Sequence, residues 1–293
     1  MAKGYIHTFT RQEQERLLHQ AEYLLPWIHQ HIDLSACRNV LEIGCGVGAQ
    51  LKILAKRFPD THFTGIDSSS EQIGRAKVLL ADEIEKKQIS LIQGSGEELP
   101  FSEVSFDAVV IYWVLEHLEH PITVLGEAAR VLKENGLLLA TEVFNAGVYC
   151  DPPRAALMDY WREFNSLQKE FGGHPDIGIQ LANLALKCGL RDVKLINVSP
   201  HLDNRLTPEE RKEMADYFCA IFSSGAEELL KANRISPELV AGMRADFEHI
   251  ASDPKSIMIY TAFQLQAVRK TVLKKSLSSP FSSKTDHDFV PEK

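Results

Sequence analysis

The residues best able to do chemistry in this chain stand at four places, each just after a short apolar run. The first is Val40-Leu41-Glu42-Ile43-Gly44-Cys45-Gly46-Val47-Gly48, an acid followed by a turn with three glycines. Such a turn lets backbone N–H groups and a helix start come close to a bound ligand. The acid suits a ligand with a cationic end and sugar hydroxyls better than a bare pyrophosphate. Asp67 closes a second run, Thr64-Gly65-Ile66-Asp67, 25 residues after Glu42. A carboxylate there can accept two hydrogen bonds at once. Gly94-Ser95-Gly96-Glu97-Glu98-Leu99-Pro100-Phe101 follows the third run, and Tyr112-Trp113-Val114-Leu115-Glu116-His117-Leu118 follows the fourth.

Each place has a second reading. Gly44, Gly46 and Ala49 also fit the dinucleotide fingerprint G-x-G-x-x-G/A, and a glycine turn can be purely structural. Asp67 with Ser68 also reads as a helix cap. Trp113 reads equally as buried packing. Glu116, His117, Glu119 and His120 lie close together, but no third-ligand spacing supports a metal, so they read as a solvated helix start with one inward histidine. Cys45 reads as a small turn residue, because nothing basic adjoins it to activate the thiol.

The elements that must position these residues follow from periodicity. Strands are predicted at 40–43, 62–67, 89–93, 106–111 and 137–143, with a turn at Asn135-Gly136. Helical stripes separate them, over 10–31 (capped by Thr10 with Glu13, interrupted by Pro26), over about 49–58, from a cap at 68–70 to about Lys87, and over 121–133. Alternating strands and helices mean parallel βαβ units, with ligands at the carboxyl ends of the strands. After Phe144 the rhythm breaks. Helices are predicted over 154–171, 179–187 and most of 208–250, with strands at 192–198 and 257–267 as a closing pair.

Composition bounds the rest. The 293 residues are 44% hydrophobic, enough for one large α/β domain with an insertion or for two small ones. Net charge is -8 and no basic block interleaves with aromatics, which disfavours a nucleic-acid partner. The first residues lack an apolar signal core, no run spans a bilayer, and the five cysteines are scattered, so free thiols in the cytoplasm are expected. From Lys270 the Ser- and Lys-rich tail is expected to be disordered.

Taken in order, LEIGCGVG, TGID, GSGEELPFSEVSFD, VLEHL and the R-V-L-K-x-x-G-x-L segment (Arg130 to Leu137) resemble the class I S-adenosylmethionine (SAM) dependent methyltransferases, and among them the small-molecule group that includes the ubiquinone/menaquinone methyltransferases. The motifs cover about a third of the chain, residues 38–144. The resemblance implies a Rossmann-like fold. Its seven-stranded sheet is mostly parallel with an antiparallel last strand, and helical insertions cap it. It implies SAM as cofactor. Gly44, Cys45, Gly46 and Gly48 would lie beneath the ligand's amino acid and ribose, and Glu42 near its cationic end. Asp67, followed by Ser68, would take the ribose hydroxyls. Ser95, Gly96 and Glu97 would lie at the adenine, with Ser95 departing from the acid many relatives carry there. Tyr112 and Trp113 would line the methionine half. Tyr5, in the N-terminal segment, would reach over the SAM carboxylate, and Arg16 would steady that segment.

The expected organisation is a helical strap (1–37), a SAM-binding core (38–144), acceptor-binding insertions with the closing strands (145–269) and the tail (270–293). The expected reaction is in-line methyl transfer to a medium-sized, partly apolar or aromatic small molecule. His117 is the first candidate base, then Tyr149 or His174. The acceptor pocket is expected from Phe144 to His174 and the 207–250 helices. Three rival readings share part of the pattern: an NAD(P)-dependent oxidoreductase, a SAM-binding protein without catalysis, and a methyltransferase acting on RNA or protein.

Overall fold

The computed structural model describes residues 11–270. Tyr5, the cap Thr10 and the tail beyond Lys270 lie outside the described residues. In chain order the elements are α1 (Arg11–Tyr23), α2 (Leu25–Ile28), β1 (Asn39–Ile43), α3 (Ala49–Arg57), β2 (His62–Asp67), α4 (Ser70–Leu79), α5 (Ala81–Glu85), β3 (Ile89–Gln93), β4 (Phe106–Tyr112), α6 (Pro121–Val131) and β5 (Leu132–Val143). Then come β6 (Tyr149–Asp151), α7 (Ala155–Glu170), α8 (Leu181–Lys187), β7 (Arg191–Asn197), β8 (His201–Leu202), α9 (Pro208–Ser223), α10 (Ala226–Lys231), α11 (Pro237–Ser252), β9 (Ile257–Ile259) and β10 (Ala262–Val268).

The main sheet runs β3-β2-β1-β4-β5-β10-β7, parallel except for β10, which is antiparallel to both neighbours. From β1 the chain winds to one edge, then restarts at β4 and winds to the other. The crevice at this reversal, outside the carboxyl ends of β1 and β4, is where ligands bind in open α/β sheets.

Strand periodicity explains the two cores. Val40, Phe63, Ile89, Ala108, Val110 and Leu139 share one face, packed by α3, α4 and the cap helices. Leu41, Ile43, Ile66, Val109, Ile111 and Ala140 share the other, packed by α6 and α8. Both faces are buried, so these strands read as nearly continuous apolar runs rather than as alternation. Against that background Glu42, on the first face, and Glu142, in β5, stand out as acids inside apolar strands.

The cap is built from α7, α9, α10 and α11. Thr207 and Glu210 form a reciprocal capping box at the start of α9, with Pro208 in its first turn. Buried Arg211 ties α9 to the end of α11 by donating to the carbonyls of Ile250 and Asp253 at 2.7 and 2.6 Å. Tyr160 donates to the carbonyl of Phe222 at 2.6 Å, locking α7 to α9.

The single closing strand expected over 257–267 is two strands. β9 belongs to a small antiparallel sheet, β6-β9-β8, while β10 belongs to the main sheet. No glycine or proline marks the break. The corner is tertiary: Phe144 N–H donates to Thr261 O, Val198 N–H donates to Ala262 O, and Tyr260 N–H donates to Pro200 O. Three chain segments thus leave the main sheet at one level. The helix expected over 10–31 is split at Pro26, as expected: α1 ends at Tyr23 and Pro26 stands in the first turn of the short α2, where its missing N–H is tolerated. The expected helix over 121–133 ends at Val131, where β5 begins.

Candidate cofactor and acceptor site

The glycine turn is clamped by β2. The N–H groups of Gly44 and Cys45 both donate to Ile66 O, at 2.8 and 3.1 Å, and Gly46 N–H donates to Asp67 Oδ2 at 2.9 Å. Asp67 Oδ1 accepts Ser69 N–H at 2.9 Å, and the Ser69 side chain caps α4. Asp67 therefore ties the turn after β1 to the helix start after β2. Cys45 points inward, its sulfur against the backbone at Gly65, and Ser68 contributes its carbonyl to Gln93 Nε2 at 3.3 Å.

Two of the glycines differ in what they face. Gly44 has φ +72°, and a Cβ there would lie 2.4 Å from Val114 Cγ2. Gly46 has φ +51°, and a Cβ there would meet nothing within 4 Å. Gly44→Ala is thus expected to destabilise the fold by about 2 kcal/mol or more, from left-handed strain plus a clash. Gly46→Ala is expected to cost only about 1 kcal/mol of strain while weakening cofactor binding roughly tenfold. Thermal unfolding and titration with S-adenosylhomocysteine separate the two effects.

Beneath the turn lies a buried acid. Glu42 is 2% exposed and its Oε2 has no hydrogen-bond partner. Burial, and then the charge of Asp67, push its carboxyl well above the usual carboxylate range. Asp67 is raised too, by burial, against the opposing pull of the Ser69 and Gly46 N–H groups. The Tyr112 hydroxyl is also buried without a partner. Its ring stacks on His29 at 5.9 Å, and the His29 Nε2 meets Gln50 Oε1 at 2.7 Å. Tyr112 therefore packs under the crevice on the Glu42 face. Two crowded acids with an unsatisfied oxygen call for a ligand that brings positive charge and hydrogen-bond donors. A cationic sulfonium ligand carrying an ammonium and ribose hydroxyls fits that demand.

The loop after β3 completes the rim. Ser95 is exposed, and its Oγ accepts the Glu97 N–H at 3.1 Å. Gly96 sits against Ile43, where a Cβ would approach Cγ2 to 2.7 Å. The loop is held from behind: Arg130 donates to the carbonyls of Leu99 and Phe101 at 3.1 and 2.8 Å, and Glu127 accepts Leu99 N–H at 2.8 Å. That gives a structural role to the arginine of the R-V-L-K segment.

After β4 the chain turns sharply. Trp113 has φ +56°, and its indole N–H is buried without a partner. Fully buried Glu142 holds the turn. Its Oε1 accepts the N–H groups of Val114 and Leu115 at 2.9 and 2.8 Å, and its Oε2 accepts that of Glu116 at 3.3 Å. Burial and the neighbouring Glu116 charge push the Glu142 carboxyl up to about 8.

Glu116 is not on a solvated helix start: it is 7% exposed, and its Oε2 accepts from Gln168 Nε2 at 2.9 Å. Its Oε1 lies 3.7 Å from His117 Nε2. A cavity of about 50 Å³ opens here, lined by Trp113, Glu116, His117, Asn145, Trp161 and Tyr260 among others, with Arg16 and Gln20 of α1 on one side. Of the other candidate bases, Tyr149 is 55% exposed on β6, and His174 binds Glu119 O at 3.3 Å; neither lines this cavity. Of the expected acceptor aromatics, Trp161 and Phe164 line it, whereas Tyr160, Phe218 and Phe222 are buried in the core. No cluster of three metal-ligating side chains occurs among the described residues.

Glu142, Asn145, Gln168 and Tyr260 did not emerge from sequence reasoning. Glu142 had a signal, an acid within an apolar strand. The others had none.

The fold and the crevice define a Rossmann-like class I methyltransferase architecture. A sequence profile described as "Methyltransferase domain" matches residues 41–140. The match covers about a third of the chain, the part that runs from β1 through β5. The chain is 30% identical over 123 residues to a sterol 24-C-methyltransferase of Gibberella zeae, covering 42% of this chain and 32% of that one. It is 39% identical over 103 residues to a demethylmenaquinone methyltransferase of Listeria monocytogenes, covering 34% and 42%. The chain thus spans about a third of the length of these curated relatives. In three dimensions it is similar to phosphoethanolamine N-methyltransferase 2 of Haemonchus contortus, with TM-score 0.54 and 20% identity over 85% of this chain and 53% of that one. It is also similar to the YcgJ protein of Bacillus subtilis, with TM-score 0.51 and 17% identity over 86% and 99%.

Proposed function

We propose that the protein transfers a methyl group from S-adenosylmethionine to a small-molecule, partly apolar acceptor held in the cavity beside Trp113. The observation that carries this reading is the buried Glu42 carboxyl beside Asp67, with its Oε2 unpartnered, beneath a glycine turn in which Gly46 faces open space. Glu42 and Tyr112 face the cationic half of the cofactor. Asp67 takes the ribose hydroxyls, since a carboxylate that already accepts two N–H groups keeps free lone pairs. Gly44, Cys45, Gly46, Gly48 and Ser68 shape the floor. Ser95, Gly96 and Glu97 border the adenine, and Trp113 separates cofactor from acceptor. The relatives named for a sterol and for demethylmenaquinone support a small-molecule acceptor.

The cofactor, when bound, supplies a methyl group on a cationic sulfur that is already a good leaving group. The protein's task is then alignment, exclusion of water and, for an acidic acceptor proton, its removal. The aromatic walls Trp113, Trp161, Phe164 and Tyr260 exclude water. His117 holds the position for taking the proton, with Glu116 beside it to stabilise the imidazolium. S-adenosylmethionine is expected to raise the melting temperature and NADH to leave it unchanged. A shift with NADH alone would overturn the reading. His117→Ala with unchanged turnover would remove His117 from the mechanism.

A further inference from the structure

The acceptor cavity sets two buried acceptor groups, Glu116 and Asn145, beside one unpartnered buried donor, the Trp113 indole N–H. Its buried floor is rich in acceptors. Glu116 offers only acceptor oxygens when ionised. Asn145, 2% exposed, lines the cavity with its Oδ1 lacking a partner, because its amide nitrogen donates to Asn165 Oδ1 at 2.8 Å. Gln168, which does not line the cavity, donates from its amide nitrogen to Glu116 Oε2 at 2.9 Å and so fixes that carboxylate in place. Aromatic rings supply the walls, with Trp161 stacked on Phe164 at 4.8 Å and tilted against Tyr260 at 6.3 Å. Arg16 stands on the opposite, α1 side and donates to Gln20 Oε1 at 2.7 Å.

Buried acceptor oxygens each carry a desolvation penalty until a donor reaches them. A carboxylate beside aromatic faces favours a nitrogen cation doubly, through charge pairing and through the ring quadrupoles. Resting on the methyltransferase reading above, we propose that the methyl acceptor is an amine, whose N–H groups are received by Glu116 and by Asn145 Oδ1 within the Trp161–Phe164–Tyr260 wall. Glu116 and Asn145 are then specificity-determining residues, and the methylated atom is nitrogen. His117 first takes a proton from the bound ammonium, which frees the nitrogen lone pair; the N–C bond then forms as the S–C bond to the methyl breaks, the electron pair stays on sulfur and S-adenosylhomocysteine leaves. The relatives' acceptors do not bear on this choice. The profile match ends at residue 140, before Asn145, Trp161, Gln168 and Tyr260.

The test uses a trio matched to the small cavity, methylamine, methanol and formate, titrated into the full chain saturated with S-adenosylhomocysteine. Quenching of Trp113 and Trp161 fluorescence reports occupancy. Methylamine is expected to bind at least tenfold more tightly than the other two. Glu116→Gln and Asn145→Ala are each expected to erase most of that preference while leaving the affinity for S-adenosylhomocysteine unchanged, which also verifies folding. Equal binding of amine and alcohol, a preference for formate through Arg16, unaltered selectivity in both variants, or no saturable amine binding would overturn the proposal. Failure of the wild-type chain to bind S-adenosylhomocysteine would remove the cofactor reading itself, and this inference with it.

Discussion

Replacing Asp67 by alanine is expected to weaken S-adenosylmethionine binding by about two orders of magnitude, measured by calorimetric titration. The side chain does two jobs. It joins Gly46 N–H and Ser69 N–H through its two oxygens at 2.9 Å each, holding the glycine turn against the start of α4. In the proposed role it also receives the ribose hydroxyls. A hydrogen bond to a charged group is worth roughly 1.5–3 kcal/mol, so losing two from the ligand gives about 3 kcal/mol or more, a factor on the order of 100. The ligand-free protein loses less, about 1–2 kcal/mol, because water reaches the released N–H groups. Asp67→Asn is not expected to rescue binding, since its NH2 presents donors where donors already point. Affinity within twofold of wild type in both variants would take Asp67 out of the site.

Stability is expected to peak in mildly acidic solution and fall on both sides. Glu142 has its carboxyl raised from an ordinary value of 4.5 to about 8 by burial and by Glu116. Between those values the folded chain keeps a proton that the unfolded chain releases, so stability drops as pH rises through the window. Glu42 is displaced in the same direction. His29 acts from the other side. Burial lowers it from 6.5 to about 4, so below pH 6.5 the unfolded chain gains a proton the folded one refuses, and stability drops as pH falls. The melting temperature is expected to fall by roughly 5 °C between pH 6 and pH 8.5, since a kcal/mol moves a chain of this size by about 2–4 °C. Glu142→Gln, which keeps an acceptor for Val114 and Leu115 but cannot ionise, is expected to flatten the alkaline slope. Glu142→Ala strands three buried N–H groups and is expected to cost about 3 kcal/mol at any pH. A wild-type curve flat from pH 6 to 8.5 would remove the buried acids as its source.

The site divides cleanly into a legible and an illegible half. Glu42, Gly44 and Gly46 come from one run of residues, and Asp67 from the next strand end. Trp113 and His117 follow the fourth strand. All sit at carboxyl ends of strands whose apolar runs are visible, and parallel topology brings those ends together. The acceptor half has no such rule. Asn145, Trp161, Gln168 and Tyr260 come from three separated stretches, and as letters they are ordinary loop, core and helix residues. Glu116 shows the difference sharply. Two acids and two histidines within five residues read as solvated, yet Gln168, 52 positions after Glu116, covers the carboxylate. The closing strand misled for the same reason: its alternation is continuous, and the corner is set by hydrogen bonds to the distant Phe144, Gly147, Val198 and Pro200.

What the sequence determined by itself is the Rossmann-like core, the crevice at the β1–β4 reversal and the acids that face it. Those are consequences of period-2 and period-3.6 burial and of glycine-dependent turns, which act over a few neighbouring residues. What only the tertiary structure decided is the acceptor cavity, the small sheet and the burial of Glu116 and Glu142. These depend on which distant groups exclude water from them, and no local pattern encodes desolvation by a partner far along the chain.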